Sequence, residues 1–204
     1  MTDIHKALGD ISSIRRQVAQ STQFRGYGPA TLAATGMMAF VAALAQGAWL
    51  PDPAHHIPAY MSIWIATALL SAALTGVQMY TRSRRIHSGL SSEMIRMAVE
   101  QFLPAAGTGL LVAVTLAHFT PADSWMLPGL WQVIFSLGIL SSSRFLPRLI
   151  VLAGGWYLLT GLGCIALGDT RALAPWTMGF AFGVGQLLVA GILLVATPES
   201  ADED

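Results

Sequence analysis

The chain has 204 residues, 54% of them hydrophobic and 11% charged, with eleven basic side chains balanced by eleven acidic ones. That is roughly half the charge of an average soluble domain, and with a mean hydropathy of +0.58 it excludes an ordinary water-soluble fold. The single cysteine, Cys164, excludes an intrachain disulfide.

Met1 to Gly28 is polar and amphipathic. Ile4, Leu8, Ile11, Ile14 and Val18 recur at three- and four-residue spacing, with Asp3, Lys6, Asp10, Arg15 and Arg16 among them. This predicts a cytoplasmic amphipathic helix over residues 1–28. A cleavable signal peptide would instead place a charged stub and a short apolar core first, so the first apolar segment reads as an uncleaved span.

Six stretches of 19 to 23 residues then follow without any Asp, Glu, Lys or Arg: Pro29 to Leu50, Pro58 to Tyr80, Phe102 to Thr120, Trp125 to Ser143, Leu149 to Leu167 and Pro175 to Ala196. Each is long enough to cross the roughly 30 Å hydrocarbon layer as a helix. They are apolar all round rather than alternating, which points to helices and not to a β-barrel. The expectation is an all-α polytopic membrane domain of six transmembrane helices over residues 29–197. Between the second and third stretches, Ile86, Leu90, Met94 and Met97 form a stripe behind Arg82, Arg84 and Arg85, so residues 81–97 are expected to be a cytoplasmic amphipathic insertion. Glu100, four residues from Arg96, is expected to pair with it. Residues 198–204 form an acidic tail.

Ten of the eleven basic residues fall before the first, after the second or after the fourth stretch, and only Arg171 falls on the other side. By the positive-inside rule both termini are cytoplasmic. Trp49, Trp125, Trp131 and Trp176 all fall near the opposite, outer ends and read as an interfacial belt, with Trp156 the exception. Tyr27-Gly28-Pro29, Phe102-Leu103-Pro104 and Phe145-Leu146-Pro147 each put an aromatic two residues before a proline, and Pro58, Pro128 and Pro175 open the even-numbered stretches. Proline is suited to a helix's first turn. Two readings follow: six helices that each begin with proline, or three tandem hairpins of equal orientation, 29–80, 104–143 and 147–196.

Chemistry is sparse. The spans hold no ionisable side chain except His118, at an outer end, which argues against proton coupling and voltage sensing. No buried histidine is placed to activate a serine or to ligate haem, and no phosphate loop or dinucleotide fingerprint is present, so no catalytic residue and no cofactor is assigned. Two clusters are left. His55, His56 and His118 share the outer membrane depth and could bind Zn²⁺ or Cu²⁺, or simply fit an interfacial loop. Trp156, Tyr157 and Thr160, with Gln186 and Ser71, are mid-bilayer groups whose donors and acceptors must be satisfied in lipid, by interhelical hydrogen bonds or by a weakly polar ligand. Gly179-Phe-Ala-Phe-Gly183, together with Gly154, Gly155, Gly161 and Gly163, permits close backbone approach within the third hairpin or between subunits.

Ile11-Ser-Ser-Ile-Arg-Arg and Ser21-Thr-Gln-Phe-Arg-Gly-Tyr-Gly-Pro-Ala, with the Gly154-Gly155 run of the fifth stretch, resemble a family of small six-span bacterial inner-membrane proteins that begin with an amphipathic helix. The resemblance implies the bacterial inner membrane and little about activity. Three readings stay open: a binding, sensing or accessory membrane protein acting through helix packing and its cytoplasmic helices, a transporter or channel for a neutral or weakly polar solute, and an outer-face metal-binding protein. The partners implied are the lipid bilayer, a second copy or membrane-complex partner, and a soluble cytoplasmic protein; no nucleic acid is implied.

Overall fold

The computed structural model describes residues 28–85, 90–143 and 146–196, with side chains over 28–81, 103–143 and 146–196. The expected N-terminal amphipathic helix, the acidic tail, Tyr27 and Phe145 lie outside these described residues, and the expected Arg96–Glu100 pair and the Phe102 ring lie outside the described side chains. Within them the chain is all-helical: α1 (Pro29–Trp49), α2 (Ile57–Arg85), α3 (Leu90–Phe119), α4 (Leu127–Ser142), α5 (Ile150–Ala166) and α6 (Pro175–Ala196). Short 3₁₀ helices at Pro121–Met126 and Thr170–Leu173 lead into α4 and α6.

Local chemistry sets most of the boundaries. Gly28 is extended and caps α1, its carbonyl accepting from Thr31 and Leu32 while Pro29 takes the first helical position. The Gly28 N–H, which would otherwise be orphaned, donates to Gln78 Oε1 of α2 at 3.1 Å, and Gln78 lies so close that any side chain at position 28 would displace it. At the far end of α5, Gly168 adopts φ +70° and closes the helix with a bond from its N–H to Ile165 O.

One expectation about the helices changes. Pro104 does not open a helix: α3 begins at Leu90 and carries Pro104 in its interior. Within residues 81–97, the first part continues α2 to Arg85 and the last part belongs to α3, which starts at Leu90. The physical reason is that a proline removes one N–H and crowds one turn, which a long apolar helix tolerates when its neighbouring turns hold. Pro147 lies just ahead of α5 and accepts from Ile150 N–H, whereas Pro29, Pro58, Pro128 and Pro175 sit in first turns as expected.

Each helix touches the next in chain order, and α6 returns to pack on α1. The most extensive contacts are α1 with α6 and α4 with α5, not those within the three expected hairpins. Glycine decides this. A Cβ at Gly36 of α1 would lie 2.9 Å from the Gly183 carbonyl of α6, and one at Gly179 would run into Ala43. Between α4 and α5, a Cβ at Gly129 would lie 2.7 Å from Gly161 O and one at Gly161 would lie 2.9 Å from Gly129 O. The Gly179–Gly183 motif therefore serves α1 rather than its hairpin partner α5.

Among the described residues four helical segments are long and apolar enough to cross a membrane, Pro29–Trp49, Ile57–Thr81, Pro121–Ser142 and Pro175–Ala196, while Leu103–Phe119 and Ile150–Ala166 are shorter and apolar. Large apolar side chains stand exposed on all six helices, among them Val41, Leu69, Leu111, Leu137, Leu159 and Val195. A continuous apolar exterior of this kind needs lipid rather than water around it. Burial is uneven: α2 has no buried residue from Ala66 to Gln78.

Candidate functional site

Buried polar side chains gather at the end of the bundle where the two 3₁₀ helices touch each other, the end expected to face outward. Gln46, on the last turn but one of α1, donates from Nε2 to Leu173 O at 2.7 Å and accepts from the Trp64 indole at 2.8 Å. One amide thus joins α1, α2 and the 3₁₀ turn ahead of α6. Gln132 of α4 donates to Thr177 O of α6 at 3.1 Å, and Ser136, one turn further, donates to Gly154 O of α5 at 2.8 Å. The Thr177 hydroxyl lies 2.6 Å from Ala172 O and 2.7 Å from Ala174 O, and the Cys164 thiol reaches the same Ala172 carbonyl at 3.7 Å.

In lipid an unpaired backbone carbonyl has no water to turn to, so amide and hydroxyl side chains that reach across to a neighbouring helix hold the loops at this end in place. Four buried atoms have no hydrogen-bond partner among the described residues: Tyr60 Oη, Ser124 Oγ, Gln132 Oε1 and Tyr157 Oη.

Beside Cys164 a cavity of about 210 Å³ opens between α5 and α6. Thr160, Cys164 and Thr177 supply its polar atoms, Phe180 and Trp176 its aromatic walls, and Gly163 leaves its α5 side bare, since a Cβ there would meet nothing within 4 Å. The Thr160 hydroxyl already donates to Trp156 O at 2.9 Å, so towards the cavity it offers lone pairs rather than a proton.

The mid-bilayer residues named from sequence separate into three groups. Trp156 and Thr160 are at or beside the cavity, the Trp156 indole donating to Ala181 O at 2.9 Å and its ring tilted against Phe180 at 5.5 Å. Tyr157 faces the bundle interior between Phe135 at 4.8 Å and Phe182 at 5.2 Å, its hydroxyl against Gly185. Gln186 lies half-buried with its Cβ against Gly36 of α1, and Ser71 sits on the bare stretch of α2, where its carbonyl accepts from Thr75. Gln186 and Ser71 are therefore not brought to Tyr157.

The three histidines do not form a ligand group, and among the described residues no three His, Cys, Asp or Glu side chains do. His55 and His56 are exposed and folded back on one turn, His55 Nδ1 bonding Asp52 Oδ2 at 2.7 Å and His56 Nδ1 bonding Asp52 O at 3.0 Å. The His55 hydrogen bond holds the Asp52 carboxyl below its ordinary value. His118, at the end of α3, stands edge-on to Phe119 at 4.8 Å. In the loop ahead of α6, the Arg171 side chain bonds Asp169 at 2.8 Å and lowers that carboxyl in the same way.

Gln46, Gln132, Ser136 and Thr177 carry the interhelical network and were not singled out from the sequence. The signal was present: an uncharged amide in an apolar stretch faces the same desolvation penalty as a charge, on a smaller scale. No protein-family model, no curated protein and no solved structure matches this chain.

Proposed function

We propose that this is a six-span protein of the bacterial inner membrane, with both termini cytoplasmic, that binds a neutral, weakly polar molecule taken from the lipid. Leu103–Phe119 and Ile150–Ala166, at 17 residues each, are at the lower end of the roughly 17 to 25 residues a spanning helix needs, and α5 packs between α4 and α6. The reading is carried by the cavity between α5 and α6, which opens to the outer leaflet and combines hydroxyl lone pairs, a thiol and two aromatic walls with no charge. Such a lining suits a ligand that is itself uncharged and largely apolar. Neither this cavity nor a larger one on α6 is lined by Tyr157 or Gln186, the residues a carrier was expected to use.

Gly163→Phe adds a ring at a cavity-lining position whose Cβ would meet nothing within 4 Å. Mass spectrometry of small molecules copurified from native membrane is expected to find a neutral lipid-soluble species on the wild type that falls by about tenfold or more in the variant, a loss of roughly 1.4 kcal/mol of binding. Equal recovery from both proteins would overturn the reading.

An accessory role within a membrane assembly is supported by a different observation. From Ala66 to Gln78 α2 is unburied and carries Ala66, Ala68, Ala72, Ala73 and Gly76, small residues of the kind that let helices approach closely in lipid. With Cys164→Ser as background, Ala72→Cys is expected to crosslink to a second copy in native membrane when Leu152→Cys, exposed on α5, does not. A monomer band in both lanes would sink the idea.

A further inference from the structure

A second cavity, about 410 Å³ in volume, is a groove along the lipid-facing side of α6, and every residue that lines it is apolar. Val184, Leu188 and Val195 form walls, Gly191 leaves the floor open, and Leu149, one residue ahead of α5, closes the side next to α5. Its extent is informative. From Val184 to Val195 is eleven residues, which at 1.5 Å per residue is about 16 Å. Half of the hydrocarbon layer is about 15 Å. The groove starts near the middle of α6 and stops one residue short of its end at Ala196, so it spans one leaflet, the one on the cytoplasmic side in the orientation proposed above.

A basic group stands at the matching end. Arg148 precedes the groove residue Leu149, is exposed on the turn into α5, and its guanidinium has no hydrogen-bond or ion-pair partner among the described residues. An apolar trough one leaflet long, with an exposed arginine next to its lining residue Leu149, has the dimensions and charge of a phospholipid. A planar guanidinium pairs well with a phosphate, and the cytoplasmic leaflet is the anionic one.

We propose that this groove holds an acyl chain of an anionic phospholipid, with Arg148 binding the headgroup phosphate. This site is separate from the cavity at Cys164, and nothing in its test depends on that cavity or on which way the protein faces. Phosphatidylglycerol and phosphatidylcholine of identical chains are added to the full-length protein in detergent, and retained lipid is counted by native mass spectrometry. Wild type is expected to keep phosphatidylglycerol about fivefold better, the worth of one arginine at an anionic surface. Arg148→Gln should abolish that preference while both lipids are still retained. Gly191→Phe, which adds a ring where a Cβ meets nothing, should lower retention of both. Equal retention of the two lipids by wild type, a preference that survives Arg148→Gln, or retention untouched by Gly191→Phe would each overturn the proposal. Should Gly191→Phe fail to fold, Arg148→Gln, on an exposed turn, still decides between a specific headgroup contact and a bare apolar surface.

Discussion

Gly161→Leu is expected to destabilise the bundle by about 3 kcal/mol or more, at the upper end of what overpacking usually costs. The position has no slack. A Cβ there would stand 2.9 Å from the Gly129 carbonyl and 3.0 Å from Gln132 Cβ, and the first of these is backbone, which cannot rotate away. The only relief is to separate α4 from α5, and that separation also strains the Ser136–Gly154 bond between the same helices. Gly155, on the same helix, provides the comparison, because a Cβ there meets nothing within 4 Å. Gly155→Leu should stay within about 0.5 kcal/mol of wild type, as surface substitutions do. In thermal unfolding of detergent-solubilised protein the expected outcome is a fall of about 10 °C for Gly161→Leu and almost none for Gly155→Leu. Equal shifts for both would mean that the α4–α5 interface is not held by glycine contact.

Gln46→Leu is expected to cost about 2 to 4 kcal/mol, although it removes only one side-chain amide. Hydrogen bonds between helices in lipid are worth about 1 kcal/mol when both partners can find others. Here they cannot. The Trp64 indole N–H and the Leu173 carbonyl are buried, each has Gln46 as its partner, and each left unpaired costs about 1 to 3 kcal/mol. Trp64→Phe introduced beside Gln46→Leu removes one stranded donor and should recover part of the loss. A double-mutant cycle read by thermal unfolding should therefore give a coupling of about 1 kcal/mol or more between positions 46 and 64. Strict additivity would show that the amide does not connect α1 to α2.

These two positions also mark where the sequence could and could not be read. α6 occupies the stretch expected of it, Pro175 to Ala196, and α1 ends one residue short of its expected limit. Uncharged runs of that length have few alternatives in lipid, because the backbone must satisfy itself within the segment. Pro104 misled because a proline reads as a helix start from its neighbours, yet α3 passes through it. Of the mid-bilayer residues chosen from sequence, Trp156 and Thr160 sit around a cavity, while Gln186 turns towards Gly36 and Ser71 stays on the bare face of α2. Depth in the membrane follows from counting residues along a helix. Direction around the helix does not, because with apolar residues on every side there is no hydrophobic face to orient it.

By itself the sequence determined that this protein is helical and rich in long apolar stretches, and four helices among the described residues are long and apolar enough to cross a membrane. Length and missing charge are local properties, and they suffice for that. Only the tertiary structure decided which helices pair, that Gly179 and Gly183 serve α1, and that Gln46 rather than Gln186 connects helices to the loop ahead of α6. Lipid is as apolar as leucine, so partner choice falls to small residues that admit a backbone and to amides that find a carbonyl. For Gln46 that carbonyl lies 127 residues away in the chain, beyond the reach of any local pattern.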